Sequence, residues 1–398
     1  MPEAVGPARV SLDPIGPVPV IDAADVAGYI VRHPEAAAVT GSVGQVSLLA
    51  DGKLNDVFLV RGSTGSIVLK QGLPWVRIYP DWPLPAERTR HEARVYQIIG
   101  PLVGALAPQL IAYDQAANVL LLEAIENAAP WSEALIAGRA DPDIARALGQ
   151  FTARLAFGTS SFGADDATRA AIAASAGESV LTDMMAHLVF TRPLEPDDAH
   201  ASGHGIGGDR VRADRELAAA IAGLGERYRT ADEALIHGDL HIASVLVAAG
   251  RPVVLDYEFA RTGPVGFDLG LLWANILLAI PVGRMWPGAE PAESLAGLAA
   301  RNWEAFAGEF TALAARSGEP ARDVGAWLTQ VHADAIGYAG CEILRRLVSG
   351  DLVVPLTVLS DLARDRAAGA LLDLATQAVR HRATMTVQDL VSGGASIP

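Results

Sequence analysis

The sequence predicts an α+β protein of two lobes, an antiparallel β-rich lobe over residues 1–125 and a larger, mainly α-helical lobe over 126–398. Three observations carry this reading. The chain has 398 residues, more than a single core usually organises. Its first third holds short apolar runs that alternate with polar residues, and the remainder is alanine-rich with a helical period.

From Gln45 to Lys70 the runs VSLLA, VFLV and SIVLK are broken by Asp51-Gly52 and by Gly62 to Gly65, which predicts a meander of short strands. The proline-rich stretch LPWVRIYPDWPLPAERTR reads as a loop that enters a helix through Glu87 to Ile99. Val119 to Glu123 is a buried strand, and the polar residues and Pro130 after it place the lobe boundary near residue 126. Beyond it, helices are expected at 141–157, 164–188, 211–229, 292–316, 321–348 and 355–380, because alanine favours helix intrinsically. Residues 195–210, rich in Gly, Asp and His, read as a solvated loop. Leu269 to Ile280 is too short to span a bilayer and contains Asn275, so it reads as a buried helix.

The net charge of −15 disfavours nucleic acid or an anionic membrane as a partner, since both would be repelled. With Cys341 as the sole cysteine, neither an intrachain disulfide nor a cysteine-built zinc site can form, which fits a reducing compartment. The first twenty residues lack the pattern of a secretory signal, so a cytoplasmic protein is expected.

The chemistry is concentrated in His237-Gly238-Asp239-Leu240-His241-Ile242-Ala243-Ser244, followed by Asp256-Tyr257-Glu258. Two acidic centres on adjacent loops, each next to an apolar run, suit phosphoryl transfer, which needs alignment and charge cancellation more than covalent help. Asp239 can orient an acceptor hydroxyl and take its proton. Asp256 and Glu258, two apart, would share one face of an extended segment and chelate Mg²⁺, with the Ser244 hydroxyl as a further ligand. Upstream, the turn from Asp51 to Asn55, with Gly52 at its bend, could cover phosphates. Lys70 closes a strand where an α/β-phosphate grip is needed, and Glu92 in the next helix could position it. The pattern GxxxxGK[ST] is absent, which argues against a P-loop kinase.

In order along the chain, DGKLNDVF, GSIVLKQGLPWVR, WPL with ERTRHEA, LIHGDLHIAS, D-x-EF with GPVGFDLG, and GCEILRRLV resemble the 5-methylthioribose kinases of the protein-kinase-like phosphotransferase superfamily, over about residues 50–350. The resemblance implies a bilobal protein-kinase-like fold, ATP and Mg²⁺ as cofactors, and transfer to the anomeric hydroxyl of S-methyl-5-thio-D-ribose in methionine salvage. It implies that Gly52, Asn55, Lys70 and Glu92 serve ATP, and that Glu123, Ala124 and Ile125 form a hinge that meets adenine through the backbone. Asp239 would be the base, Asp256, Tyr257 and Glu258 would lie at the nucleotide with its metal, and Arg345 and Arg346 would meet the sugar and the transferring phosphate. Asp268 would brace the catalytic loop, and a homodimer is implied.

Family members usually read Asp-Pro-Glu where this chain has Asp256-Tyr257-Glu258, Thr-Gly where it has Ile242-Ala243, and Asp-Gly-Asn where it has Lys53; Tyr257, Ile242 and Ala243, beside the acceptor site, are expected to bear on acceptor choice. Taken without the resemblance, Arg345 and Arg346 fit a solvated helix face equally well. Three alternatives stand beside the leading reading: a kinase of another 5-substituted pentose, an aminoglycoside or amino-alcohol phosphotransferase, and a catalytically silent nucleotide-binding protein. The arginine pair would repel the cationic acceptors of the second.

Overall fold

The computed structural model describes residues 19–49, 54–176, 179–195, 206–317, 323–350, 354 and 356–398. They fall into two compact units. One comprises the described residues up to Arg90 with Leu110–Ala124, and the other comprises His91–Gln109 with the described residues from Ile125 onward.

The first unit is built on a five-stranded antiparallel sheet. Its spatial order is Val43–Leu48, Asn55–Gly62, Ser66–Gly72, Val119–Glu123 and Leu110–Asp114. Alternate residues Phe58, Val60, Ile67, Leu69, Val119 and Leu121 are buried in one cluster with Val26 and Ile30 of the helix Val26–Val31. Strand side chains alternate faces, so the meander commits one face to this core, at about 1.5–3 kcal/mol per fully buried large side chain. Lys70 is one step out of phase with Leu69 and lies on the opposite face, in register with Val57 and Leu120. The proline-rich stretch is not wholly loop, because Trp75–Val76 and Tyr79–Pro83 pair as an antiparallel hairpin. The helix expected from Glu87 to Ile99 runs from Arg88 to Val103.

The second unit is helical. Its central helix, Gly266–Gly283, is long and apolar enough by composition to cross a bilayer, yet every residue is buried within the unit. It packs on Val324–Ser349. Close approach is possible because Gly266 and Gly270 lack a Cβ, which would come within 2.7 Å of the Val331 and Ala335 carbonyl oxygens. Pro142–Thr159 pairs with Ala292–Ser317, and Asp361–His381 covers the far side of Val324–Ser349.

Two expected helices are interrupted. The one expected at 211–229 leaves helical geometry at Asp214, whose carboxylate instead accepts the Leu217 N–H and caps Arg215–Thr230. The one expected at 164–188 comprises Asp166–Ser175 and Val180–Ala186, the second capped by the Ser179 hydroxyl. Of the expected 195–210 loop, residues 196–205 lie outside the described residues.

Four short strands hold the acidic segments. Ala234–Ile236 pairs with Arg261–Gly263, and Val245–Ala248 forms a hairpin with Arg251–Val254 while Ala128–Pro130 pairs along its other edge. The HGDLH segment therefore joins Ile236 to Val245, and Asp256 lies between Val254 and Arg261.

Candidate active site

The catalytic-loop candidate turns at Gly238, at φ +80°, where a Cβ would meet the Phe259 carbonyl oxygen at 2.2 Å. Only glycine fits there. Asp268, in the first turn of the central helix, accepts the N–H of His237 at 2.7 Å and of Gly238 at 2.9 Å, one on each carboxylate oxygen. Burial pushes its carboxyl up to about 7, against these two donors, which favour the anion.

His237 has no exposed surface. Its Nδ1 accepts the Asp239 N–H at 3.2 Å, so Nε2 carries the proton and donates it to the Leu255 carbonyl at 2.7 Å. Burial pushes this imidazole down to about 4, which leaves it neutral at physiological pH. It is a brace that ties Asp239 to the residue before Asp256.

His241 is fixed similarly. Its Nδ1 accepts the N–H groups of Ala243 and Ser244 at 3.1 and 3.2 Å, so the protonated Nε2 faces Asp239 Oδ2 at 3.6 Å. The Ser244 hydroxyl accepts the His241 N–H at 3.0 Å and donates to the His241 carbonyl at 2.8 Å, which keeps one lone pair for another partner. Asp239 is 23% exposed at its side chain. Partial burial works to raise its carboxyl, but His241, Arg346 and Arg345 outweigh this and hold it well below the usual carboxylate range.

The acidic turn departs from expectation. Asp256 and Glu258 do not lie in an extended segment, because Asp256 is left-handed at φ 65°, ψ 65° and Tyr257–Phe259 form a single 3₁₀ turn. Aspartate tolerates this region through its short polar side chain. The Asp256 side chain is exposed and Glu258 is buried. The Tyr257 N–H donates to Glu92 Oε1 at 3.2 Å, and its ring packs edge-on against Tyr96 with 5.0 Å between centroids. Glu92 and Tyr96 are four apart on one helix face, so the part of this helix that belongs to the second unit grips this turn. Among the described residues no group of three or more His, Cys, Asp or Glu side chains could hold a metal. Two carboxylates and a hydroxyl nonetheless suit Mg²⁺, which is usually held by one or two carboxylates, with phosphate and water completing its shell.

Arg345 and Arg346 are 3% and 4% exposed, so they do not form a solvated helix face. Both bind the fully buried Glu342. Arg345 donates from Nε at 2.7 Å and Nη2 at 2.9 Å, and Arg346 donates from Nε at 2.6 Å. Two cations and one anion leave a net charge of +1 beside Asp239.

In the first unit, Asn55 opens its strand and is buried, its Oδ1 accepting from Arg88 Nη2 at 2.6 Å. Arg88 also reaches the carbonyls of Leu54 and Leu73, both at 2.8 Å, and of Pro85 at 3.0 Å. Lys70 is buried at 3% exposure. Glu123 closes its strand opposite Ile67 and is exposed, and the division between the units falls between Ala124 and Ile125. Gly52 lies outside the described residues.

Comparison with known proteins supplies the lineage. A family model described as the phosphotransferase enzyme family matches residues 45–308. A methylthioribose kinase of Erwinia tasmaniensis is 32% identical over 333 residues, which covers 79% of this chain and 82% of the relative. One from Yersinia pseudotuberculosis is 31% identical over 354 residues, 85% of each chain, and one from Pectobacterium atrosepticum is 32% identical over 330 residues, 79% and 82%. The chain belongs to the methylthioribose kinase family. It is accordingly a small-molecule kinase.

In this member of the methylthioribose kinase family, the departures at Tyr257 and Ile242 fall at buried positions. Both side chains have no exposed surface, and of the three positions where the sequence departs around the site only Ala243 is exposed. Arg88 and Glu342 lie within the segments ERTRHEA and GCEILRRLV, yet neither has a role assigned from sequence. A carboxylate three and four residues before two arginines, on a helix otherwise apolar in that stretch, is the signal that could have found Glu342.

Proposed function

We propose that this kinase transfers the γ-phosphoryl group of ATP to the anomeric 1-hydroxyl of S-methyl-5-thio-D-ribose. The observation that carries the reading is the surrounding of Asp239: a carboxylate kept ionised by His241 and by a buried arginine pair that, with Glu342, carries a net charge of +1. Such a place suits a neutral hydroxyl acceptor and an incoming phosphoryl group, and it disfavours a cationic amino-alcohol or aminoglycoside. The relatives named methylthioribose kinase support the choice of sugar.

Asp239 accepts a hydrogen bond from the anomeric hydroxyl, aims its oxygen in line with the γ-phosphorus and takes the proton as the new bond forms. A carboxylate held this low is a weak base, which suits a loose transition state in which the proton leaves late. Arg345 and Arg346 offset charge on the equatorial phosphate oxygens. Lys70 and Asn55 serve the ATP phosphates, Gly52 and Glu92 are assigned to the nucleotide by the family resemblance, and the backbone of Glu123, Ala124 and Ile125 meets adenine. Asp256 and Glu258, with the remaining lone pair of Ser244, would hold Mg²⁺, and Tyr257 fixes their turn. Bound Mg²⁺ would offset negative charge on the transferring phosphates. The same reading carries a cytoplasmic homodimer that works in methionine salvage.

The test is a coupled ADP-release assay with Mg-ATP and methylthioribose, ribose, 5-deoxyribose, choline or kanamycin. Preferential turnover of methylthioribose is expected. Turnover confined to choline or kanamycin overturns the acceptor assignment, and the absence of turnover on all five returns the silent reading.

A further inference from the structure

Adjacent residues on an α-helix point about 100° apart, so neighbouring arginines do not converge on one ligand by themselves. Like charge also drives them apart. In Val324–Ser349 a single carboxylate overcomes both effects. Glu342 lies three residues before Arg345 and four before Arg346, the two spacings that place side chains on one helix face. Its Oε2 takes Arg345 Nε at 2.7 Å, and its Oε1 takes both Arg345 Nη2 at 2.9 Å and Arg346 Nε at 2.6 Å. It is itself anchored from the facing helix, where Asn275 Nδ2 donates to Glu342 Oε1 at 3.3 Å and to the Leu271 carbonyl at 2.9 Å. Asn275 and Glu342 both have no exposed surface. An amide within the otherwise apolar run Leu269 to Ile280 has no packing advantage there, and its hydrogen bond to Glu342 gives it a purpose.

We propose that Glu342, anchored by Asn275, is a positioning residue that holds Arg345 and Arg346 together in the geometry needed for phosphoryl transfer. This rests on the reading of the arginine pair given under Proposed function. Glu342 touches neither substrate nor phosphate and acts through the two guanidinium groups. Asn275 extends the network into the core, so the pair is fixed from two helices.

The test compares Glu342→Gln, the double variant Arg345→Met/Arg346→Met, and the triple combination, each checked by thermal melting and direct titration of ATP. Glutamine keeps the shape but turns an NH₂ toward donors, so kcat with methylthioribose should fall about tenfold or more while ATP affinity stays within about twofold. In the arginine-free background Glu342→Gln should cost less than about twofold further, because its partners are gone. A full effect in that background, or wild-type kcat in the single variant beside an impaired arginine variant, overturns the inference alone. Unchanged kinetics of the arginine variant overturns the reading of the pair, and this inference with it. Should Glu342→Gln fail to fold, Asn275→Ala withdraws only the anchor and is expected to lower kcat about threefold at constant ATP affinity. Unaltered kcat there overturns the proposal.

Discussion

Replacing Asp268 by asparagine tests how the catalytic-loop candidate is held. The carboxylate receives two backbone N–H groups, from His237 at 2.7 Å and Gly238 at 2.9 Å. Asparagine has one carbonyl oxygen, so its NH₂ faces the second donor and leaves a buried N–H unsatisfied, at about 1–3 kcal/mol. The pH dependence follows from the raised carboxyl. Burial moves it from the ordinary 3.8 to about 7, so the native state holds this proton more tightly than the unfolded chain. Its contribution to stability is then fully present below about pH 4 and is lost as pH rises through about 7, at about 1.4 kcal/mol per pH unit. Asparagine does not titrate, so the gap between wild type and variant should shrink by roughly 2–3 kcal/mol from about pH 5 to about pH 8. Denaturant melts at the two pH values measure this. Because the loop carries Asp239, a shift of about 1 Å should also lower kcat on the order of a hundredfold. A gap independent of pH, together with kcat within a factor of about two, would refute the argument.

Two other substitutions probe the remaining assignments. Arg88→Met removes four hydrogen bonds, one of them to Asn55 Oδ1, and should raise KM for ATP about tenfold with a smaller effect on kcat; an unchanged KM in ATP titrations would detach Asn55 from the nucleotide. The Tyr257 hydroxyl is buried without a hydrogen-bond partner among the described residues, so Tyr257→Phe should leave stability unchanged or raise it by up to about 1 kcal/mol. Its preference for methylthioribose over ribose should not move, and a changed ratio of kcat/KM values would put Tyr257 back at the acceptor.

The fold was legible where one physical signal dominated. Val119–Glu123 was read from end to end because four apolar residues between turn-forming segments leave little else. Leu110–Asp114 went unread because all five of its residues are half-buried, which blurs the alternation. The break at Asp214 shows a local cap overriding a helical period that continues on both sides. At the site, the motif residues were legible as chemistry but not as conformation. The spacing of Asp256 and Glu258 is the same in a strand or a turn, and only the backbone, left-handed at Asp256, decides between them. Likewise, a polar stripe of Glu342, Arg345 and Arg346 looks solvent-facing in a helical projection. Its burial depends on what the rest of the second unit packs around it, which no local pattern encodes.

The most direct test of the central claim is single-turnover transfer from Mg-ATP to methylthioribose by Asp239→Asn. The substitution keeps the size of the side chain and removes the charge that His241, Arg345 and Arg346 stabilise. Transfer should slow by roughly a hundredfold or more, with ATP binding by titration within about twofold of wild type. A variant that transfers at close to the wild-type rate would contradict the account of Asp239 as the group that aims and deprotonates the acceptor.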